Sequence, residues 1–535
     1  MKYNKIIKKS LGNRFVLILK VIYAFFQSVI LYLKLYKNNY KRANKSIVSK
    51  GTVILPLIET AHYMNIQLLL VAKGLQKRGF EIVVVVCDAG LIACETRSAK
   101  IKESSLACLQ CKFNIKIVES FDFKIEYLSA DKFTNFDYLD TDELNEDFEH
   151  AIKDSVDRHF YGDLPTNKEQ VSVIQKRYLE TLSKSNHVSQ LIIKEYRPKI
   201  LLAYMMVYAE NVPWVRNAME NGLRVVHVCN TQFNEHALTL NFWDLYSTSD
   251  RYNGFLDKKG LFNSENEDFE LDKYIERRFS GKLLSRNLDL SQEVLGSQQT
   301  LDRLPFLEGK DRKNIFLFPN ILWDSGMSTQ NSIFKSIEDW LLKTVSYLAD
   351  KHEFNVIVKC HPQERTFTNK SKTAYDAIQS YFKGRLPKNL HVIDYNSNIS
   401  SYDLFPFMDA CCVYNGTIGL EAMLSGKQVL TGGRSPYHHL TLTATVKNVE
   451  DYYGVFREIA NGTGIKPNME AVRRFAYFYF IKAPIPWNLT SKAVGASYYK
   501  SLKHHDLDYL VSVNDKYFEH LLDSIEHQHI LPENW

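Results

Sequence analysis

The sequence predicts an α/β protein with two Rossmann-like domains, because buried-strand patterns alternate with helical patterns in two separate regions. In the first region, strands at Val53–Leu57 and Glu81–Cys87 flank an amphipathic helix at Ile66–Lys77. In the second, a strand at Ala410–Tyr414 precedes a short helix at Ile418–Ser425. A chain of 535 residues exceeds one ordinary domain, and a composition of 45% apolar residues can fill two cores.

Five segments follow from these patterns. Residues 1–50 form a basic, membrane-associating arm, and residues 51–253 form the first Rossmann-like domain with an acidic helical insertion. Residues 254–313 are polar and weakly periodic, which is typical of a linker. Residues 314–449 form the second Rossmann-like domain, and residues 450–535 are predicted to be C-terminal helices. We expect the helical segments 450–459 and 467–482 to cross back over the first domain.

The basic arm carries a strong charge asymmetry. Residues 1–50 contain twelve lysines or arginines and no acidic residue, whereas the whole chain has a net charge of only +6. Phe15–Leu33 is largely apolar but contains Lys20 and Gln27. Lys20, Gln27 and Lys34 are spaced by seven residues, so they would form one narrow polar stripe on an otherwise apolar helix. This polar stripe favours a helix in the membrane plane, with a spanning helix or packing on the protein as alternatives. We predict neither a cleavable signal peptide nor nucleic-acid binding, since no cleavage site or binding module accompanies the arm.

In the first domain, polar residues follow the carboxyl ends of predicted strands. Glu59 and His62 come after the first strand and are candidates for a general base, although each can also be a solvated loop residue. Asn230 and Thr231 follow a later strand at Arg224–Val228, and we predict that they face the same crevice. The first domain is therefore predicted to contribute polar side chains to the site.

No metal site is predicted. Cys108 and Cys111 have the spacing of zinc ligands, but no second cysteine or histidine pair stands at a convincing distance. Asp140 and Asp142 form an acidic pair that does not follow a strand, so we interpret it as part of a surface helix within residues 137–157. Eight cysteines without framework spacing indicate free thiols and a reducing compartment.

The candidate phosphate site lies in the second domain. The strand Phe354–Lys359 is followed by His361, and the polar turn Asn415–Thr417 precedes the short helix described above. Because the carboxyl ends of parallel strands meet at one edge of a sheet, an imidazole and a helix N-terminus would face one crevice. Such a pair suits a departing phosphate. Glu421, in the first turn of the helix, could accept hydrogen bonds from ribose hydroxyls or compensate the helix dipole.

These residues resemble a known family. The strand with Cys360-His361-Pro362-Gln363-Glu364, followed by NGTIGLEAMLSGKQVLTGGRSPY from Asn415 to Tyr437, is similar to the bacterial capsule polysaccharide biosynthesis proteins. That family includes Kdo transferases that use CMP-sugars. Phe316–Asp324 is similar to the strand and loop that open the donor domain of related proteins. The resemblance covers about residues 311–480 and, more faintly, residues 50–240. At the turn this chain has Gly416-Thr417, where two successive hydroxyl residues are often found in the family.

The resemblance implies a GT-B-like glycosyltransferase, with two Rossmann-like domains facing a central cleft and the donor nucleotide on the second domain. Its substrates would be a nucleotide-sugar donor, CMP-Kdo being favoured, and a polysaccharide or lipid-linked glycan acceptor. Bacterial sialyltransferases and teichoic-acid glycerophosphotransferases share the order of these parts. A polymerase that uses CDP-alditol donors is therefore an alternative, as is a non-catalytic capsule-assembly or export component.

The resemblance also implies an enzyme without cofactor or metal, acting at the inner face of the cytoplasmic membrane with capsule-assembly proteins as further partners. The implied catalytic residues are His361, Glu59, His62 and Asp324, and the first domain, with Asn230 and Thr231, is implied to bind the acceptor. The implied donor-binding residues are Lys359, Pro362, Glu364, Asn415, Gly416, Thr417, Gly419, Glu421 and Arg434. The imidazole and the N–H groups of the turn would stabilise the departing phosphate, while a base deprotonates the acceptor hydroxyl.

Overall fold

The structure of the protein is a computed structural model. It describes residues 26, 29–37, 49–58, 65–95, 105–204, 207–230, 237–242, 265–280, 295–308, 312–324, 332–349, 351–364, 371–490, 502–512 and 514–527. The chain forms two compact units. Unit 1 consists of Met1–His159, Glu169–Trp243 and Ile485–Trp535, and unit 2 consists of Phe160–Lys168 and Asp244–Pro484.

Strands and helices alternate along most of the described chain. The strands are β1 (Gly51–Leu57), β2 (Phe80–Val86), β3 (Lys124–Tyr127), β4 (Ile200–Ala203), β5 (Arg224–Asn230), β6 (Ala237–Phe242), β7 (Lys313–Phe318), β8 (Phe354–Lys359), β9 (Leu390–Ile393), β10 (Ala410–Val413), β11 (Gln428–Thr431) and β12 (Ile485–Pro486). The α-helices are α1 (29–37), α2 (Asn65–Lys77), α3 (Ser105–Glu119), α4 (Glu146–Phe160), α5 (Lys168–Tyr196), α6 (Val212–Glu220), α7 (Glu265–Phe279), α8 (Ser297–Arg303), α9 (Ile337–Ala349), α10 (Ala374–Tyr381), α11 (Ile418–Leu424), α12 (Val449–Ala460), α13 (Met469–Tyr477), α14 (Leu507–Leu510) and α15 (Lys516–His527). Shorter 3₁₀ turns occupy Asp131–Phe133, Thr141–Glu143, Pro305–Leu307, Tyr402–Phe407 and His438–Leu440, and a π-helical turn occupies Phe478–Lys482.

Unit 1 is built on a seven-stranded sheet with the order β12-β6-β5-β4-β1-β2-β3. The strands from β5 to β3 pair in parallel, whereas β6 and β12 pair antiparallel with their neighbours. The run Ile82–Val86 in β2 is buried throughout. A continuous β-branched run of this kind is typical of a parallel strand covered on both faces.

Unit 2 is built on a five-stranded sheet with the order β11-β10-β7-β8-β9, in which every pair is parallel. Its core contains Trp340 of α9, Tyr414 after β10 and Tyr452 of α12, all fully buried. The Trp340 indole N–H donates to the Tyr452 hydroxyl at 2.9 Å, so these large rings are buried without losing their hydrogen bonds. The predicted α/β fold class, with a Rossmann-like sheet in each of two units, is confirmed.

The structure differs from the sequence prediction in two places. The predicted linker 254–313 contains α7 and α8 where it is described, and both belong to unit 2. The predicted C-terminal segment 450–535 is divided, because α12 and α13 belong to unit 2 and residues from Ile485 onward belong to unit 1. Helix α13 packs against α7 and α11 of its own unit. The sequence of α7 did not indicate that it packs on unit 2, because the helix is mostly polar and Leu271 is its buried apolar residue.

The N-terminal arm is described only in part. Most of the predicted apolar helix Phe15–Leu33 lies outside the described residues. Within α1, Leu31 and Leu35 are buried in the main hydrophobic core of unit 1. Among the described residues, no helix combines the length and apolar character needed to cross a membrane.

The backbone after β11 approaches the core of unit 2 closely at Gly432. Its N–H donates to the carbonyl of Val413 at 2.8 Å, and its carbonyl accepts from the Ser332 hydroxyl at 2.9 Å. A Cβ atom at Gly432 would lie 2.1 Å from Cδ1 of Trp340. Because the Trp340 ring is fully buried, it has no free space into which to move.

We therefore expect Gly432→Ala to lower the free energy of unfolding by about 1–3 kcal/mol or more through overpacking. Gly454→Ala is the matched control, since a Cβ there would meet only the flexible end of Arg457 at 3.4 Å. This control lies inside α12 and should be neutral or stabilising by up to about 1 kcal/mol. Urea unfolding of both variants is the measurement, and equal stabilities would contradict the close approach.

Candidate functional site

Three strand ends bring the predicted donor-side residues to one edge of the unit 2 sheet. The strands lie in the order β10-β7-β8 and run parallel, so their carboxyl ends share that edge. The chain leaves β7 toward β8 and β9, and it later returns to β10 on the other side of β7. This reversal is a topological switch point, and ligands of open α/β sheets bind outside the carboxyl ends of the strands at such points.

Asn320 lies at the switch point. It follows β7, and its Oδ1 lies 3.7 Å from the position that a Cβ on Gly416 would occupy. This oxygen is buried, and it accepts no hydrogen bond from the described part of the chain. A buried acceptor without a donor costs about 1–3 kcal/mol. Asn320 is therefore suited to accept a hydrogen bond from a ligand.

The turn Asn415–Thr417 is fixed by a tyrosine packed against it. Tyr437 is fully buried and donates its hydroxyl to the carbonyl of Gly416. A Cβ at Gly419 would lie 2.4 Å from the Tyr437 hydroxyl oxygen, so a glycine at 419 makes room for this contact. The side chain of Thr417 makes no capping hydrogen bond. The N–H of Gly419 donates to the carbonyl of Gly416 at 3.1 Å, and the N–H of Glu421 donates to the carbonyl of Thr417 at 3.2 Å.

His361 emerges after β8 as a partly exposed side chain. Its Nδ1 accepts a hydrogen bond from the N–H of Gln363 at 3.2 Å, so the neutral ring carries its proton on Nε2. Burial and the positive charge of Lys359 lower the pKa of His361 to about 4. At neutral pH this side chain is therefore an uncharged hydrogen-bond donor.

The loop after β8 also contains a carboxyl group in an unfavourable environment. Glu364 is fully buried, and its Oε1 accepts from the N–H of Ala374 at the start of α10 at 2.9 Å. Its Oε2 is buried and accepts no hydrogen bond among the described residues. Burial raises the pKa of Glu364 to about 7, against a smaller opposing effect of the buried Lys359. Glu364 consequently titrates near neutral pH.

Glu421 lies in α11, where its carboxylate has two protein partners. Arg278 of α7 donates from Nε to Oε1, and the Tyr402 hydroxyl donates to Oε2 at 3.0 Å. The side chains of Glu421 and Arg278 are 2% and 12% exposed, so the ion pair is buried. Although burial opposes the charged form of Arg278, the carboxylate of Glu421 raises its pKa. The ion pair gives Glu421 a structural role that the sequence did not indicate, and its ribose contact stays a prediction.

Aromatic packing supports this ion pair. The ring of Phe279, the last residue of α7, stacks on Tyr402 with the ring centroids 4.8 Å apart. Tyr402 is in turn packed edge-on against Phe405 of the same 3₁₀ turn. The hydroxyl that reaches Glu421 is therefore held by stacked rings that exclude water from the ion pair.

Three further donor-side candidates lie around the same strand ends. Asp324 and Arg434, in the loops after β7 and β11, are exposed, and Pro362 beside the imidazole is partly exposed. Asp324 donates its backbone N–H to the carbonyl of Ile321 at 3.0 Å, which closes the turn after β7. Their positions agree with the predicted edge, and their roles stay predictions.

The acceptor-side candidates are described less fully. Glu59, His62 and Thr231 lie outside the described residues. Asn230 is the last residue of β5, and its backbone pairs with Leu238 of β6. The assignment of a general base to the first domain therefore stays a prediction.

The acidic pair and the cysteine pair considered as metal ligands lie in local elements of unit 1. The carboxylate of Asp140 accepts from the N–H of Asp142 at 3.1 Å and caps the turn Thr141–Glu143. Cys108 and Cys111 both lie in α3 and form no disulfide. Among the described residues, no group of three or more histidine, cysteine, aspartate or glutamate side chains could hold a metal ion.

A comparison with known protein families finds a match in the region that contains the candidate site. A sequence model of the family described as "Capsule polysaccharide biosynthesis protein" matches residues 271–451. The predicted resemblance to this family is confirmed. The match begins within α7 and includes the Arg278–Glu421 ion pair and the switch point, so the matched region is the one that builds the candidate site. At the level of the family it supports a part in capsule polysaccharide synthesis. No curated protein matches the chain.

The solved structures that match this chain include two transferases from Thermosulfurimonas dismutans. The KpsC beta Kdo 2,4 transferase is 12% identical, with a TM-score of 0.35, over 59% of this chain and 88% of that one. The KpsC beta Kdo 2,7 transferase is 14% identical, with a TM-score of 0.28, over 61% and 89%. The UDP-GlcNAc 2-epimerase of Neisseria meningitidis is 10% identical, with a TM-score of 0.22, over 81% and 97%. TM-scores this low carry no argument about activity.

The buried ion pair predicts strong coupling between two residues of different helices. Glu421→Gln leaves the Arg278 charge buried without a counter-charge and should lower the free energy of unfolding by about 3–5 kcal/mol. Arg278→Met should cost a similar amount, whereas the double variant should cost clearly less than the sum of the two. Arg277→Met, an exposed arginine of the same helix, is the control and should have little effect. Additive losses in chemical unfolding would show that the ion pair is not formed.

The raised pKa of Glu364 predicts a stability effect that depends on pH. Between about pH 4.5 and 7 the folded protein retains a proton that the unfolded chain has lost, so this residue's contribution to stability falls as pH rises through that window. Glu364→Gln keeps an acceptor for Ala374 and removes the charge. It should leave the melting temperature nearly unchanged at pH 5 and raise stability by about 1–3 kcal/mol at pH 8.

The control for this measurement is Glu353→Gln, an exposed glutamate just before β8. Its effect should be small at both pH values. A Glu364→Gln variant that is less stable than the wild type at pH 8 would mean that the carboxylate has a stabilising partner.

Proposed function

We propose that the protein transfers a sugar from a nucleotide-activated donor to a growing capsule or other surface polysaccharide or glycolipid. The observation that carries this proposal is the convergence of Asn320, His361 and the turn Asn415–Thr417 at one edge of the unit 2 sheet. Neighbouring strands lie about 5 Å apart, so β8 and β10 are separated by roughly 10 Å. That span accommodates a nucleotide phosphate and its sugar. The family match over the same residues supports the proposal.

The reaction breaks the bond between the sugar and the phosphate oxygen, and the bonding electrons leave with the phosphate. His361 donates a hydrogen bond from Nε2 to a phosphate oxygen, and the N–H groups at Gly416 and Thr417 donate to another. Preorganised donors of this kind stabilise the charge that develops on a leaving group. The acceptor hydroxyl attacks the sugar and gives its proton to a general base, for which Glu59, His62 and Asp324 are the candidates.

The favoured donor is a CMP-sugar such as CMP-Kdo, as the family resemblance suggests. A CMP-sugar carries one phosphate, and a neutral imidazole, backbone N–H groups and a nearby lysine are sufficient partners for its charge. We therefore propose chemistry without a metal. The amide oxygen of Asn320 suits an amino or hydroxyl donor of the nucleotide or the sugar. The acceptor is a glycan, either free or lipid-linked at the inner face of the cytoplasmic membrane.

The test is transfer of radiolabelled sugar by the full-length protein from CMP-, UDP- and GDP-linked donors, with CDP-glycerol in parallel. We expect transfer from a CMP-sugar that persists in EDTA. His361→Ala should reduce the rate about 10²-fold, the scale of losing one oxyanion donor. His352→Ala is the matched control, because His352 is exposed and precedes β8 at the opposite edge of the sheet. A His361→Ala rate equal to that of the control would remove His361 from the mechanism.

Saturation-transfer NMR against CMP, UDP, GDP and CDP separates binding from turnover. Asn320→Ala should weaken CMP binding by about tenfold, the scale of one net hydrogen bond. Transfer from CDP-glycerol alone would favour the alditol phosphate alternative, and no binding of any nucleotide would favour a non-catalytic assembly component. Activity lost in EDTA and restored by Mg²⁺ would contradict the proposed chemistry without a metal.

A further inference from the structure

Helix α1 presents two different apolar faces. Leu31 and Leu35 are 1% and 0% exposed and belong to the hydrophobic core of unit 1. They are separated by four residues, so they lie one above the other on one face of the helix. Tyr32 is partly buried against the same core. This face of α1 is therefore part of the folded domain.

The opposite face of α1 carries large apolar side chains into solvent. Phe26, Ile30 and Leu33 are 58%, 47% and 57% exposed. Ile30 and Leu33 are three residues apart in α1, so they form one stripe turned away from Leu31 and Leu35, and Phe26 precedes Ile30 by four residues in the sequence. Contiguous exposed apolar residues of this kind mark an interaction surface.

The charge around this stripe identifies its partner. Lys34 and Lys37 are exposed on the same helix, and residues 1–50 contain twelve cations and no acidic residue. A second copy of this chain would bring the same cations against each other, which opposes self-association through the stripe. An anionic lipid surface offers both an apolar layer and negative headgroups, each cation near it contributing favourably.

We propose that α1 lies in the plane of an anionic membrane surface, with Phe26, Ile30 and Leu33 inserted among the lipids and Leu31 and Leu35 in the core of unit 1. Because one face of the helix is occupied by the domain core, this segment binds lipid on one side only. The membrane contact is thus built into the fold of unit 1 instead of being carried by a separable tail. The inference deepens the proposed membrane localisation, and its test does not depend on glycosyl transfer.

The experiment is co-sedimentation of the full-length protein with vesicles of phosphatidylcholine containing phosphatidylserine or phosphatidylglycerol, and with vesicles of phosphatidylcholine alone. Ile30→Gln/Leu33→Gln should lower the affinity for anionic vesicles at least tenfold. Leu109→Gln/Val173→Gln is the matched control, since these residues are 59% and 46% exposed on other helices of unit 1. We expect the control to bind within twofold of the wild type. Both variants should keep the wild-type melting temperature, because the side chains changed are exposed.

Salt and extraction distinguish the possible outcomes. High salt should weaken vesicle binding of the wild type without abolishing it, since the apolar contribution is not screened. Carbonate should release part of the protein from membranes. Release by detergent alone would overturn the in-plane arrangement. Equal vesicle binding by the two variants would overturn the role of the stripe in lipid binding. The same conclusion would follow if the wild type did not bind vesicles but formed a dimer that became monomeric in Ile30→Gln/Leu33→Gln.

Discussion

Every neighbouring pair of strands in the unit 2 sheet is parallel, and this constraint determines where the chain can place chemistry. Parallel strands bring all the loops that follow them to one edge of the sheet, while the strands themselves are mostly apolar. The polar residues that follow β7, β8 and β10 are therefore concentrated together, although up to about a hundred residues separate them in sequence. Because the chain order reverses at β7, the loops after β7 and β10 lie side by side, and Asn320 and Gly416 are neighbours there.

The short helix at this edge depends on tertiary contacts. A helix of seven residues such as α11 has little stability of its own. Tyr437 fixes its start through the carbonyl of Gly416, and Arg278 and Tyr402 fix its first turn through Glu421. Helix α13 packs along it as well. The turn that faces the switch point is consequently rigid, which is what a preorganised set of N–H donors requires.

Local sequence patterns were sufficient to predict the strands and the edge of the unit 2 sheet at which the site lies. An apolar run followed by turn residues occupies only a few consecutive positions, so it can be recognised in the sequence alone. The placement of His361 at the edge then followed from parallel pairing alone. The Arg278–Glu421 ion pair joins residues 143 positions apart, and no short pattern encodes it. The charged sequence of α7 resembles a linker because its contacts are a buried ion pair, one buried leucine and ring stacking by Phe279, which together give no apolar periodicity. In α1 the sequence predicted a polar stripe but not the burial of Leu31 and Leu35. The residues of the core in which these two leucines are buried lie far along the chain, so no local pattern indicates the contact.

Several polar groups at this edge lie in unfavourable environments. Burial lowers the pKa of His361 and raises that of Glu364, and the Oδ1 of Asn320 is buried without a donor in the described chain. Because these groups follow adjacent strands, a single partner from outside the chain can reach more than one of them. An anionic oxygen beside His361 would also reverse the electrostatic effect there, because it favours the imidazolium that burial and Lys359 oppose. A ligand suited to this edge brings a negative charge to the imidazole and a hydrogen-bond donor to Asn320, and the proposed nucleotide-sugar would meet both requirements.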